Sequence, residues 1–214
     1  MSAGRISVEI DFFADFACPW CFVGWRALLM AASEKKQALA VSLTWRPFLL
    51  APDLPTDGVD RSVYLRQRFT EDQLRASEAA LRTAGDEAGA RFAMEWPARV
   101  PNTINAHRAV HWAAHDGAAG ALIDAMFEAH WSRGLDIGAS PVLTEVADAA
   151  GVDPNELAAR LKTDEDKQTI LDDHATAIGM GARGVPIALI NRKFPVLGAQ
   201  APVIYRQALE RVAG

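Results

Sequence analysis

Two hydrophobic periodicities meet at residue 18, and that junction limits the chain to few folds. Before it, Ile6, Val8 and Ile10 alternate with Ser7, Glu9 and Asp11, and Phe12 and Phe13 extend the run. Period-two patterning with β-branched residues predicts a strand. After it, Cys21, Trp25, Leu28 and Ala32 recur at steps of four, three and four, the apolar stripe of a helix. Pro19 suits the first helical turn, where its missing N–H costs nothing, and Lys35 and Lys36 suit the negative end of the helix dipole. Val41, Leu43 and Trp45 then alternate with Ser42 and Thr44 up to Arg46-Pro47-Phe48, a second strand. The result is a β–α–β unit with parallel strands and a right-handed crossover.

The remainder divides just as sharply. Residues 51–58 form a turn-rich boundary, and 61–178 reads as helix throughout. Helix starts are marked by Thr70 with Gln73, by Ser140-Pro141, and by Asp153-Pro154 with Glu156; Gly151 marks an end. Strands return at 186–190 and 193–197 around a tight turn at Asn191-Arg192, an antiparallel hairpin. Pro195 assigns the second of these strands to a sheet edge. A closing helix over 202–212 carries Ile204, Ala208 and Val212 on one face. The expected fold is α/β: residues 5–60 and 180–214 as one sheet-bearing unit, interrupted by an all-helical insertion over 61–178. With 214 residues, half of them apolar, the chain can bury such a core.

The chain has two cysteines, Cys18 and Cys21, and they stand on the junction. A C-x-x-C spacing suits half a zinc site or a redox pair. Structural zinc takes four ligands, and no second C-x-x-C completes a set, the histidines all standing far along the chain; no metal is expected. A redox pair belongs at a strand-to-helix junction. There Cys18 meets the positive end of the helix, which favours its thiolate, while Cys21 points inward with the apolar stripe. A net charge of −5 argues against nucleic acid, and no apolar run reaches the roughly 18 residues of a membrane span. Residues 1–13 carry Glu9 and Asp11 where a signal peptide is apolar, so a cytoplasmic protein is expected.

The run Asp15-Phe16-Ala17-Cys18-Pro19-Trp20-Cys21-Phe22-Val23-Gly24 resembles the active-site signature of DsbA-like thiol oxidoreductases, in particular the FrnE-type group. Further segments agree in order: Trp45-Arg46-Pro47-Phe48, Asn102-Thr103 with Ala106-His107-Arg108, Gly184-Val185-Pro186 and Gly198-Ala199-Gln200. The resemblance spans nearly the whole chain. It implies a thioredoxin fold with an inserted helical domain, catalytic Cys18 and Cys21, and a cis Val185–Pro186 bond facing them. Pro19, Trp20, Val185 and Pro186 are then the expected substrate contacts. The substrate is a thiol or disulfide of protein, peptide or small-molecule kind, acted on by a monomer or homodimer. No cofactor is expected beyond the cysteine pair itself, with glutathione a candidate co-substrate. Two alternatives stand beside this reading. Kappa-type glutathione transferases and 2-hydroxychromene-2-carboxylate isomerases look similar in the insertion, but place Ser at the position of Cys18 and lack the second Cys. A non-catalytic peptide-binding chaperone is the other.

Other features read more plainly. Gly179-Met180-Gly181-Ala182-Arg183-Gly184 matches G-x-G-x-x-G, but it follows a helix and leads into a strand, the wrong polarity for a dinucleotide site. His107, His111 and His115 recur every four residues without the Glu of a zinc helix. They read as a polar stripe between helices or along a cleft over Cys18. Asp15 is expected to hold the loop through backbone N–H groups, with proton transfer at Cys21 as the alternative. Trp25, Trp45, Trp96, Trp112 and Trp131 read as packing residues, and Trp20 as an exposed apolar contact.

Overall fold

The alternation at the start of the chain forms β1 (Ile6–Ala14), and the change of period forms α1 (Pro19–Glu34). The computed structural model describes residues 5–213; residues 1–4 and Gly214, the last residue of the expected closing unit, lie outside them. β2 (Leu39–Pro47) runs parallel to β1, with Ile6 opposite Leu39 and Ala14 opposite Pro47, completing the β–α–β unit.

The chain then enters the helical stretch through β3 (Val59–Asp60), α2 (Arg61–Arg66) and α3 (Glu71–Ala88). Thr70 and Gln73 make the expected reciprocal capping box at the start of α3. Next comes β4 (Arg99–Val100), which pairs antiparallel with β3 as a ladder separate from the main sheet. The expected all-helical 61–178 is corrected at this point. Two residues per strand are too few to display a period of two, so the ladder left no pattern. Gly58 permits it: at its φ of +66° an added Cβ would run into the Val100 carbonyl oxygen. The rest of the stretch is helical: α4 (Ile104–Ala113), α5 (Ala119–Phe127) running into a π-helical turn (Glu128–Ser132), α6 (Ser140–Ala149), α7 (Pro154–Leu161) and α8 (Lys167–Gly179).

The hairpin follows as β5 (Ile187–Ile190) and β6 (Phe194–Leu197), turning on Asn191 and Arg192, both at positive φ. The sheet order is β2-β1-β5-β6, which leaves Pro195 on an edge strand as expected. α9 (Pro202–Ala213) closes the chain. Its buried face is Tyr205 with Leu209, flanked by half-buried Ala208 and Val212; Ile204 is exposed, contrary to expectation. The true stripe lies one residue further on and carries an aromatic that packs toward α1.

Both faces of the sheet are covered. Val8, Ile10 and Phe12 face α1 and α9, while Phe13 faces Ala177 of α8 on the other side. By its contacts α8 therefore belongs to the sheet as much as to the helical stretch that contains it. The helical stretch has no separate core either. Phe127 packs on Phe16 at 5.1 Å, Phe22 at 5.5 Å and Trp45 at 5.9 Å, joining both parts in one apolar cluster. No helix among the described residues is long and apolar enough to cross a membrane.

The π-helical turn carries His130 and Trp131 inward. His130 is 1% exposed, with Nδ1 2.9 Å from the Leu135 carbonyl oxygen. Burial depresses its imidazole from 6.5 to about 4, against the opposing pull of that carbonyl. Between those two values the unfolded chain binds a proton here that the folded chain does not. Stability held above pH 6.5 is therefore expected to drain away as the pH falls toward 4, by up to ~3 kcal/mol. Urea unfolding of wild type and His130→Gln across this window measures it. The variant should lack this part of the slope, and equal slopes would refute the assignment.

Candidate active site

Cys18 caps α1 from the N-terminal side in an extended conformation (φ −96°, ψ 111°), with Pro19 in the first turn. Its backbone is tied at both ends. The Cys18 N–H donates to the Asp15 carbonyl at 3.1 Å, and the Cys18 carbonyl accepts from the Cys21 N–H at 3.0 Å. Three residues along the helix, Cys21 faces the core and is fully buried. Burial pushes the Cys21 thiol well above the usual range; the neighbouring Cys18 sulfur adds to this, and the Asp15 backbone opposes it. Cys18 is 5% exposed, less open than a surface thiol, and lines a cavity. The two thiols are unbridged in this structure.

The cis Val185–Pro186 bond brings a loop against this pair. The Cys18 thiol donates to the Val185 carbonyl at 3.8 Å, so that carbonyl is engaged by Cys18 itself. Pro186 is buried on the far side, over Gly24 of α1; a Cβ added there would lie 2.9 Å from Pro186 Cγ and 3.2 Å from the Tyr205 hydroxyl. The run from Gly179 to Gly184 serves as the passage from α8 into this loop.

Asp15 is the polar anchor beneath. It is 1% exposed, and its carboxylate accepts the Ala17 N–H at 3.1 Å and the Leu50 N–H at 2.7 Å. His107 Nε2 approaches it at 3.6 Å, too far for a hydrogen bond, and has no other partner. The Trp45 indole donates to His107 Nδ1 at 2.9 Å, which puts the neutral ring's proton on Nε2, facing the carboxylate. Burial acts to raise the Asp15 carboxyl, but His107 and the Leu50 N–H outweigh it and hold it below the usual carboxylate range.

The cavity beside Cys18 holds about 410 Å³. Cys18, Pro19 and Trp20 form one wall, with Leu50 and Ala51 beside them. α2, α3 and the segment between them supply the opposite wall through Arg61, Leu65, Phe69, Leu74 and Leu81, and Val100 and Thr103 complete it. Of the expected substrate contacts, Pro19 and Trp20 border the cavity and Val185 touches the thiol, whereas Pro186 packs on Gly24. The histidine stripe is absent from the cavity: His107 points into the core, and His111 and His115 stack edge-to-face 5.6 Å apart, away from it. The α2–α3 wall escaped the sequence reading. Its signal was the helical spacing of Leu74, Ser77 and Leu81, an inward face that ordinary core packing also explains.

The expected packing role of the tryptophans is visible in their indole N–H groups. Trp131 donates to the Phe16 carbonyl at 2.9 Å, Trp25 to Asp124 at 3.3 Å and Trp112 to Asp166 at 2.8 Å. The first of these holds the loop that leads into Cys18.

Over residues 9–210 the chain matches the DSBA-like thioredoxin domain family. Among solved structures it is similar to a probable DsbA oxidoreductase from Streptomyces coelicolor, 26% identical, with a TM-score of 0.83 over 95% of this chain and 89% of that one. It shares a fold with a 2-hydroxychromene-2-carboxylate isomerase, 16% identical, with a TM-score of 0.75 over 95% of both chains. The cytosolic disulfide reductase DsbM of Pseudomonas aeruginosa, solved with GSH, is 22% identical, with a TM-score of 0.66 over 95% of this chain and 98% of that one.

The close approach at Gly24 sets a stability test of the site's scaffold. Gly24→Ala gains about 1 kcal/mol of helix propensity but drives a methyl into the rigid Pro186 ring, an overpacking cost of ~1–3 kcal/mol. A net loss of about 1 kcal/mol is expected in urea unfolding, with an unchanged slope. A gain would mean the loop yields freely.

Proposed function

Because the chain belongs to the DSBA-like thioredoxin domain family, a family of disulfide oxidoreductase and isomerase enzymes, we propose that it transfers electrons between thiols and disulfides through Cys18 and Cys21. The observation that carries this reading is the inequality of the two thiols: Cys18 at a helix start on a cavity wall, Cys21 fully buried behind it with its thiol raised by burial.

The Cys18 thiolate attacks a disulfide R–S–S–R′, forming the mixed disulfide Cys18–S–S–R and releasing R′S⁻. The Cys21 proton passes to the released thiolate. Cys21 then attacks Cys18 Sγ, forming the Cys18–Cys21 disulfide and expelling RS⁻. Two electrons pass from the cysteine pair to the substrate, and the reverse sequence oxidises a dithiol. Cys18 gives up its proton to begin, which frees the Val185 carbonyl from the thiol and leaves it open to a substrate N–H. Asp15, held as a carboxylate, fixes the turn into Cys18.

No cofactor beyond the pair enters this sequence, and glutathione is a suitable small thiol to complete the cycle. A cytoplasmic location suits it, since a reducing compartment keeps thiols free. A glutathione-dependent transferase reading differs in needing Cys18 alone.

Single substitutions separate these roles. Cys18→Ala removes the attacking group, and no mixed disulfide should form. Cys21→Ala keeps the attack but removes the escape, so adducts should accumulate on Cys18 and turnover should fall by roughly a hundredfold or more. Acid quenching, alkylation and mass spectrometry read the adducts. Adducts on Cys21 in the Cys18→Ala protein, or full turnover without Cys21, would overturn the assignment.

A further inference from the structure

Arg61 stands out on the cavity wall. It is half-buried, and its guanidinium lies 5.3 Å from the ring centre of Trp96 and 5.5 Å from that of Trp131. Among the described residues that guanidinium makes no hydrogen bond to a carboxylate or carbonyl and no ion pair; the residue's bond to the Ala98 carbonyl comes from its backbone N–H. The other arginines nearby are occupied. Arg82, also over Trp96, donates to the Ala93 and Met94 carbonyls, and Arg68 donates to the Tyr64 carbonyl while stacking on the Tyr64 ring. Glu78 lines the same cavity and faces Arg61, but no oxygen of it comes within ion-pair distance. Asp15 is committed to the Ala17 and Leu50 N–H groups. Indole faces thus orient a cation without satisfying its N–H fork, which fits a carboxylate in two parallel hydrogen bonds.

The rest of the cavity narrows the ligand. A volume of about 410 Å³ is that of a small-molecule pocket, and Leu65, Phe69, Leu74, Leu81 and Val100 give it an apolar lining. Cys18 is on the same lining as Arg61.

We propose that this cavity takes a small, largely apolar disulfide bearing one carboxylate, with Arg61 as the residue that selects for the anion. The inference rests on the thiol–disulfide reading above and specifies its substrate. The carboxylate pairs with the Arg61 guanidinium, the apolar body lies along α2 and α3, and the disulfide reaches Cys18. Cys18 attacks the nearer sulfur, the far half leaves as its thiolate, and Cys21 releases the bound half. The cysteine pair supplies both electrons, so one turnover of reduced protein needs no further reductant.

Two chromogenic aryl disulfides test this on reduced, intact protein: dithiobis-nitrobenzoate, which carries a carboxylate on each ring, and neutral dithiodipyridine. Stopped-flow traces give the half-saturating concentration and the limiting rate for each. For Arg61→Gln, the half-saturating concentration of the dicarboxylate should rise by about tenfold to a hundredfold, the worth of a charge-assisted pair. Its limiting rate, and both constants for the neutral reagent, should stay within about twofold. Arg61→Lys, which keeps the charge but loses the fork, should recover part of the loss. Unchanged neutral-reagent kinetics also certify that the variant is folded. Equal loss with both reagents would reduce Arg61 to a support for cavity shape, and no loss with either would remove it from recognition; each result overturns the inference and leaves the cysteine chemistry standing. If neither reagent reacts with Cys18 in the wild-type protein, the inference and the thiol–disulfide reading fall together.

Discussion

A carboxylate buried at the end of β1 is the constraint on which the site is built. An ionised group out of water is tolerable only when its oxygens are met by donors, and Asp15 draws its donors from separate parts of the chain. The Ala17 N–H comes from the turn into Cys18 and the Leu50 N–H from the segment after β2, while the His107 imidazole of α4 stands 3.6 Å off. The same segment after β2 is pinned on its other side, where the Leu49 N–H donates to His174 of α8 at 3.1 Å. Asp15 therefore fixes where the helical stretch leaves the sheet unit, and His174 fixes where it comes back over it. Without that fixed departure, the α2–α3 wall would have no defined distance from Cys18.

Aromatic packing makes the arrangement rigid. Phe16 stacks on Trp45 at 4.7 Å and meets Phe127, and the Trp131 indole holds the Phe16 carbonyl. Phe16 lies two residues before Cys18, so the helical stretch grips the turn into Cys18 directly. The π-helical turn has a local reason in this light. The extra residue it admits per turn rotates Trp131 toward Phe16, while His130 turns inward to the Leu135 carbonyl. The burial of that histidine as a neutral ring accompanies the placement of its neighbour.

Much of this was legible in the residues. The β–α–β unit, the edge hairpin, the capping box at Thr70 and the inward face of Cys21 all follow from periodicity and turn chemistry, because each is decided within a few residues. What escaped was decided by contacts across the chain. Nothing local distinguishes Leu74 and Leu81, on a cavity wall, from a helix's ordinary core face, and nothing local marks Arg61 as a cation left without a carboxylate. His107 belonged by spacing to a stripe with His111 and His115. It is held by Trp45 of β2 and faces Asp15, just beyond β1, at 3.6 Å, which a helix pattern does not reveal. In α9 the four-residue spacing of Ile204, Ala208 and Val212 points to an aliphatic face, whereas Tyr205 takes the buried position beneath α1 with its hydroxyl donating to the Gly198 carbonyl at 3.4 Å.

The inequality of Cys18 and Cys21 is a consequence of helix geometry. A residue at the cap and one three positions on stand on the same side of a helix, one turn apart. With α1 laid on the sheet under the helical stretch, that side passes from the cavity to the core within a single turn, so one sulfur borders solvent space and the other does not. The two sulfurs thereby share one side of α1, with Cys18 on the cavity wall. A second cysteine one position earlier would stand about 160° around the helix from the first, on its opposite side. Two intervening residues return the second cysteine to the first one's side, and Pro19 and Trp20 fill that interval with a residue that begins the helix and one that borders the cavity.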